Sequence, residues 1–143
     1  MRLKWTLMFV MVAVLFLMPS CITSKLMTVE ISCDEFRANP HTISNDFEVE
    51  VGDKITVKLC SNPTTGFNWD YEIAGKAVLK EEDYDYEEPE DENLVGASGT
   101  EVWTFEAVEI GSTEVHLEYS QPYEGGIKKE WTYTMQVTVI ETE

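Results

Sequence analysis

The sequence has few of the residues from which catalytic and metal sites are built. It contains two histidines and three cysteines in 143 residues, and none of them stands at metal-ligand spacing from another. His116 alternates with apolar residues, as on a strand, and His41 lies in an expected loop. Neither histidine has a nucleophile setting beside it. The sequence therefore offers little support for a catalytic or a metal site.

Basic residues are also scarce. Ten lysines and arginines face 27 aspartates and glutamates, for a formal net charge of −17. Such a charge repels nucleic-acid phosphates and anionic lipid surfaces. A chain of this length with 43% apolar residues can bury one ordinary core. We expect a monomeric single domain that does not bind nucleic acid.

Only one long apolar run is present, from Leu7 to Met18, and it follows Arg2 and Lys4. A charged start followed by a short apolar run is typical of a secretory signal. A core helix and an uncleaved anchor are the alternatives, although the run is short of the roughly 20 residues that a span needs. We predict a signal peptide over residues 1–20, a mature domain over 26–143, and export to the cell envelope or the medium.

The cysteine that follows this run raises a second question. The order from Leu17 to Cys21 resembles a bacterial lipoprotein box, in which Cys21 would be lipidated and become the first mature residue. Met18 replaces the usual leucine and Pro19 is unusual beside the cut. Lipidation of Cys21 and simple cleavage between Ser20 and Ser24 both stay open, and a lipid at Cys21 would be the protein's contact with a membrane.

The other two cysteines, Cys33 and Cys60, would be free to pair in an exported chain. The alternation of side chains along the two expected strands argues against a disulfide between them. In the first expected strand Cys33 falls on the buried face, whereas Cys60 falls on the outer face of its own strand with Thr56 and Lys58. A bulge would restore the match, so the sequence argues against a disulfide without excluding it.

Past residue 25 the sequence has no run with helical spacing, and a period of two dominates. Alternating segments rich in β-branched and aromatic residues predict strands. They are 47–51, 54–59, 101–108, 113–119 and 131–140, with a further one at 27–33. Gly52-Asp53 and Gly111-Ser112 supply turns between them. We predict an all-β protein of two packed antiparallel sheets.

One segment, residues 80–93, consists largely of carboxylates and includes Tyr84 and Tyr86. A solvated strand edge and loop, whose charge blocks edge-to-edge pairing, is the simplest interpretation. A weak calcium site and a contact surface for a basic partner are the alternatives. The segment contains no glycine for the turn of a calcium loop.

Three predicted connections carry more specified chemistry than a chain reversal requires. The first, 62–67, combines an asparagine that caps its own turn, a proline and a glycine around two threonines. The second, 94–100, is a strip of small residues, and the third, 120–125, projects a proline and a tyrosine from the end of a strand. Such loops are stiff before they contact a partner.

In order along the chain, these connections resemble the three signature loops of the chagasin family of cysteine protease inhibitors. The resemblance runs from about residue 47 to 139. The matching residues are Asn62, Pro63, Thr64, Thr65, Gly66 and Phe67, then Gly96, Ala97, Ser98 and Gly99, then Gln121, Pro122 and Tyr123.

This resemblance implies an immunoglobulin-like β-sandwich whose three loops cluster at one end and enter the active-site cleft of papain-like cysteine proteases. It also implies reversible inhibition without catalysis or a cofactor. In the family the third motif usually reads Arg-Pro-Trp, and here Gln121 and Tyr123 replace its outer residues. A lost charge-assisted contact costs about 1.5–3 kcal/mol, so weaker or shifted inhibition is expected. The alternative function is an exported adhesion or carbohydrate-binding module.

Overall fold

The computed structural model describes residues 23–39, 42–89 and 96–142. The predicted signal peptide, Cys21, His41 and the end of the acidic segment lie outside these ranges, and so do the predictions made for them. Within the described ranges, no helix has the length and apolar character needed to span a membrane.

Over these ranges the chain forms eight strands and one short α-helix. They are β1 (Leu26–Ile31), α1 (Cys33–Ala38), β2 (Thr42–Glu50), β3 (Lys54–Ser61), β4 (Asn68–Gly75), β5 (Leu79–Glu87), β6 (Gly99–Ala107), β7 (Gly111–Ser120) and β8 (Trp131–Ile140). A turn of 3₁₀-helix, Pro63–Thr65, lies between β3 and β4. The strands predicted from alternation are all present, mostly extended by a few residues.

The strands form two four-stranded sheets, with the orders β1-β3-β6-β5 and β2-β8-β7-β4. The prediction of a β-sandwich is confirmed. Each sheet is mixed rather than wholly antiparallel, because β1 runs parallel to β3 and β2 runs parallel to β8. Alternation reports which face of a strand is buried but not the direction of its neighbour, so this pairing was not predicted.

The core lies between the two sheets. Side chains at alternate positions of β3, β6, β7 and β8 point inward, and Ile55, Phe105, Val115 and Met135 are completely buried. Burial of each such side chain contributes about 1.5–3 kcal/mol relative to its exposure to water. The alternating pattern of the sequence is therefore the pattern of burial in the sandwich.

The helix α1 was not predicted, since six residues are too few to show a helical period. A local signal for it is present in the sequence. Ser32 accepts a hydrogen bond from the backbone N–H of Glu35, and the Glu35 carboxylate accepts one from the Ser32 N–H at 2.8 Å. This capping box fixes the start of α1. The Ser32 N–H and the Ser32 hydroxyl both donate to the Glu35 carboxylate, and these two hydrogen bonds lower the pKa of Glu35. Phe36 then anchors the helix in the core.

The same helix explains why the argument against a disulfide was wrong. Cys33 and Cys60 are disulfide-bonded, with a Cα–Cα distance of 5.2 Å. The argument placed Cys33 on the buried face of β1, but β1 ends at Ile31 and Cys33 is the first residue of α1. Strand alternation therefore does not apply to Cys33, and its side chain is free to meet Cys60.

The acidic segment is, in the part that the structure describes, an edge strand. β5 is the outermost strand of its sheet, and most of its residues are exposed. Lys54 and Lys58 of β3 reach across to it, with Nζ to Oε1 distances of 2.6 Å to Glu82 and Glu87. The prediction of a solvated, charged strand edge is thus confirmed for β5.

Candidate functional site

The first predicted connection, residues 62–67, forms a tight turn that is closed by its own hydrogen bonds; we call it loop 1. The Asn62 side-chain oxygen accepts from the Thr64 N–H at 3.2 Å and from the Thr64 hydroxyl at 2.6 Å. The Thr65 hydroxyl donates to the Asn62 carbonyl at 2.6 Å, and the Gly66 N–H donates to the Pro63 carbonyl at 3.0 Å. The turn is therefore fixed without any partner.

Loop 1 leaves its 3₁₀ turn through Gly66, which has φ of +79° and ψ of 7°. This left-handed conformation costs a residue with a Cβ roughly 1–2 kcal/mol. Glycine at this position therefore permits the tight exit into β4.

The second predicted connection, residues 94–100 or loop 2, is described from Gly96 onward; Leu94 and Val95 lie outside the described residues. The Asn62 side-chain amide donates to the Gly96 carbonyl at 2.8 Å, which ties loop 2 to loop 1. Gly99 begins β6, where a Cβ would overlap the Glu87 carbonyl oxygen and the Tyr86 hydroxyl. Loop 2 needs glycine at 99 because the backbone of β5 passes so close.

The third predicted connection, residues 120–125 or loop 3, is joined to loop 1 by Gln121. Its amide nitrogen donates to the Thr65 carbonyl at 3.1 Å, and its amide oxygen accepts from the Ile127 N–H at 2.9 Å. The residue that departs from the family's arginine is therefore a link between two loops. Tyr123 lies over Gly66, with its ring 3.5 Å from where a Cβ on that glycine would be.

The predicted site residues fall into two groups by exposure. Pro63, Thr64, Thr65, Gly96, Ser98, Pro122 and Tyr123 are exposed. Asn62, Gly66, Phe67, Ala97 and Gln121 are half-buried, and Gly99 is buried. The structure thus brings all three loops to one end of the sandwich, with the exposed group at the surface and most of the second group holding the loops in place.

A layer of aromatic rings lies directly beneath the loops. Tyr119 stacks on Trp131 and on Phe67, with ring centroids 5.0 and 5.1 Å apart. Phe36 of α1 extends the layer, stacking on Trp131 at 5.1 Å and contacting Trp69 at 5.2 Å. The Tyr119 hydroxyl also accepts from the Asn62 N–H at 2.8 Å. Loop 1 therefore stands on a rigid apolar base.

A residue that the sequence analysis missed joins the two stems of loop 1. Glu101 is only 3% exposed, and one of its oxygens accepts from the Ser61 hydroxyl at 2.6 Å and from the Trp69 N–H at 3.5 Å. Its other oxygen accepts from the Tyr84 hydroxyl at 3.1 Å. Burial and then the neighbouring carboxylate raise the pKa of Tyr84 to about 12.

The sequence did contain a signal for Glu101. It lies two residues before Trp103, in phase with the inward-facing residues of β6. A charged residue in the buried phase of a strand requires hydrogen-bonding partners inside the protein. Ser61 and Trp69 lie far from it in the chain, so those partners were not evident from the sequence.

The described residues form no metal site. No cluster of three or more histidine, cysteine, aspartate or glutamate side chains could hold a metal ion in the described part of the chain. His116 lies on the outer face of β7, where its Nδ1 is 3.1 Å from the Thr134 hydroxyl. What loops 1, 2 and 3 offer is a preformed, largely uncharged contact surface.

Comparison with known proteins agrees with this geometry. Residues 48–137 match the model of the chagasin family peptidase inhibitors, I42. The chain is 38% identical to chagasin of Trypanosoma cruzi over 80 residues, which is 54% of this chain and 73% of that protein. These proteins are named as protease inhibitors and not as enzymes, in agreement with the prediction of no catalytic activity.

Solved structures share the fold. The cysteine protease inhibitor EhICP2 of Entamoeba histolytica superposes with a TM-score of 0.62 at 22% identity, over 80% of this chain and 97% of that one. PbICP-C, solved in complex with falcipain-2, superposes with a TM-score of 0.52 at 15% identity, over 83% of this chain and all of that one. With its family model matched over most of the sandwich and its fold shared with these inhibitors, the chain belongs to the chagasin family of peptidase inhibitors.

Proposed function

We propose that this protein inhibits papain-like cysteine proteases by placing loops 1, 2 and 3 in the active-site cleft. The observation that carries the proposal is the set of hydrogen bonds that joins the three loops, from Asn62 to Gly96 and from Gln121 to Thr65. Loop 1 lies between its two neighbours, so the three act as one rigid wedge. A solved relative of the same fold binds falcipain-2, a protease of this class.

The wedge blocks the cleft without being cleaved because loop 1 does not resemble a substrate. A papain-like enzyme attacks an extended peptide with a thiolate, whereas residues 63–65 form a 3₁₀ turn. The Asn62 and Pro63 carbonyls already accept hydrogen bonds from Thr65 and Gly66. These carbonyls are therefore turned into the loop and are poorly placed for attack.

Tight binding follows from rigidity rather than from charge. The contacts within loop 1 and the aromatic layer beneath it exist before binding, so little conformational entropy is lost when the complex forms. Thr64 and Thr65 present small β-branched side chains with few rotamers to fix. The exposed Tyr123 adds apolar area beside them.

We also propose that the protein is exported by the segment 1–20, either lipidated at Cys21 or released after cleavage. The Cys33–Cys60 disulfide supports export, since such bonds persist in oxidising compartments. Labelling of cells with a radioactive fatty acid tests lipidation: Cys21→Ala should abolish any label, and an unlabelled wild-type protein contradicts it.

The inhibition itself is tested by the activity of papain and several related enzymes in the presence of the purified protein. We expect reversible inhibition with the inhibitor recovered intact. The variant Thr64→Ala with Thr65→Ala should raise the dissociation rate, because contacts at the desolvated centre of an interface govern residence time. The matched control is Ser112→Ala with Thr138→Ala, a hydroxyl pair at the opposite end of β7.

Failure to inhibit any of these enzymes at micromolar concentration would contradict the proposed function. An exported binding module without inhibitory activity would then be the better interpretation of the sandwich. Equal dissociation rates for the threonine variant and its control would mean that loop 1 does not reach the cleft.

A further inference from the structure

We propose that α1 is a fourth contact element, and that the groove between α1 and loops 1 and 2 receives a large apolar side chain from the wall of the protease cleft. This inference rests on the proposed function. It concerns a segment that precedes the residues matched by the family model, 48–137, and thus a feature outside the three loops.

The groove has a volume of about 180 Å³, comparable to roughly six water molecules at about 30 Å³ each. Its walls come from α1, loop 1, loop 2 and the start of β8. The residues that line it include the aromatic Phe67 and Trp131, the polar Thr65 and Ser98, and two charged residues, Arg37 and Glu130. It is therefore built from segments that are distant in sequence.

The position of the groove makes it part of the loop surface. Thr65 and Ser98 are exposed residues of loops 1 and 2, and each also lines the groove. A protease wall that lies against loops 1 and 2 is consequently brought over the groove. Loop 3 approaches loop 1 through Gln121, and α1 supplies the groove wall that none of the loops provides.

The groove is also preformed, because α1 is held at three points. The disulfide joins its first residue to Cys60, two residues before Asn62. The capping box with Ser32 fixes its start, and Phe36 is completely buried against Trp69 and Trp131. Preorganisation of this kind lowers the entropic cost of filling the groove.

The aromatic part of the lining favours an apolar occupant, and Arg37 favours a hydrogen-bond acceptor next to it. Phe67, Trp131 and Tyr119 bring aromatic rings to the lining. Arg37 contributes an apolar stem and a guanidinium that is paired with Asp34 at 2.7 Å on an exposed helix surface. A guanidinium has five N–H donors, so Arg37 can also donate to a carbonyl or carboxylate of the protease.

The decisive variants are Arg37→Ala and Asp34→Ala. Both remove the same exposed ion pair of α1, so their effects on the helix are matched. Of these two residues, Arg37 lines the groove and Asp34 does not. We expect Arg37→Ala to raise the inhibition constant for a papain-like enzyme about three- to tenfold, and Asp34→Ala to leave it within about twofold of wild type. Melting temperatures of the two variants should agree.

A third variant, Arg37→Leu, tests the apolar occupant, because leucine keeps apolar area at the rim without the charge. It should lose less inhibition than Arg37→Ala. Equal inhibition constants for Arg37→Ala and Asp34→Ala would overturn the fourth contact element. Equal losses of inhibition in Arg37→Leu and Arg37→Ala would contradict the proposal that the occupant of the groove is apolar. If the wild-type protein inhibits the protease in the same assay, neither of these outcomes contradicts the proposed function. If the wild-type protein does not inhibit, the proposed function itself is wrong.

Discussion

At the scale of single residues, Gly66 decides whether loop 1 has its observed shape. Its φ of +79° lies in the left-handed region, which β-branched residues strongly avoid. The atoms nearest to a Cβ at this position would be those of the Tyr123 ring and hydroxyl and of the Gln121 amide, at ordinary contact distances of 3.5 to 3.9 Å. Backbone strain rather than steric overlap is therefore the main effect of a substitution here.

We predict that Gly66→Val abolishes or greatly weakens inhibition while the sandwich stays folded. Gly52→Val is the matched control, since Gly52 has φ of +94° and open space around it in the turn before β3. Both variants carry similar strain, but Gly52 lies at the far end of β3 from loop 1. Inhibition constants and melting temperatures distinguish them. Similar inhibition by both variants would show that the shape of loop 1 is not needed.

Glu101 is a second residue with an effect beyond its own position. It accepts hydrogen bonds from Ser61 and Trp69, the residues at the two stems of loop 1. Its removal leaves buried donors without an acceptor, and each such group costs about 1–3 kcal/mol. Glu101 is thus expected to position loop 1 rather than to contact a protease.

We predict that Glu101→Ala lowers the free energy of unfolding by about 1–3 kcal/mol and weakens inhibition. Glu101→Gln, which keeps a side-chain oxygen, should be closer to wild type in both measurements. Urea denaturation and inhibition constants provide the test. The control is Glu106→Ala on the outer face of the same strand. This variant should change the free energy of unfolding by no more than about 0.5 kcal/mol. An equal effect at both positions would contradict the role of Glu101.

At the scale of elements, the disulfide connects α1 to the strand that leads into loop 1. Cys33 and Cys60 are 27 residues apart in the chain. A cross-link over a loop of this length stabilises the folded state by about 3–4 kcal/mol, chiefly by restricting the unfolded chain. Phe36 keeps α1 packed on Trp69 and Trp131 by hydrophobic contact as well.

We predict that the double variant Cys33→Ala with Cys60→Ala loses about 3–4 kcal/mol of unfolding free energy. Denaturation of the wild type in reducing agent should give a similar loss. The double variant itself should not respond to reducing agent, which is the control. A wild type whose unfolding midpoint is unchanged by reduction would contradict this stabilising role.

At the scale of the whole molecule, part of the net charge of −17 lies next to the loops. The end of β5 pairs with the start of β6, where Glu87 lies opposite Thr100 next to loop 2. Exposed acids here lie near the end of the sandwich that carries the loops. Acids further along the sandwich have little effect on a protease at the loops, because salt screens their charge over a Debye length of about 8 Å at physiological ionic strength.

We predict that Asp85→Asn with Glu88→Gln slows association with a basic protease at low salt and makes the rate less dependent on salt. Dissociation should change little. The control, Asp46→Asn with Glu48→Gln, removes two exposed acids from β2 in the other sheet. Stopped-flow association rates at several salt concentrations measure the effect. If both pairs act alike, the acids at the end of β5 and just after it only keep this strand edge solvated.

The sequence by itself determined the local features of this protein. A period of two specifies which side of a strand is buried, and this requires information only from neighbouring residues. The turn chemistry of Asn62, Pro63 and Gly66 is equally local, because each acts on its own backbone angles or on a neighbour two or three residues away. Most of the strands, most of their inward-facing residues and the three loops could therefore be predicted from the order of the amino acids alone.

Only the tertiary structure decided how these parts meet. The parallel pairing of β1 with β3 and of β2 with β8, the disulfide, and the hydrogen bonds from Asn62 to Gly96 and from Gln121 to Thr65 join residues that are far apart in the chain. Glu101 belongs with these contacts. Its position in the inward-facing phase of β6 is evident from the sequence, whereas its hydrogen-bonding partners are not. The local period of a strand indicates which of its faces a residue lies on, but not which other segment packs against that face. Contacts between distant segments therefore follow from the packing of the whole chain.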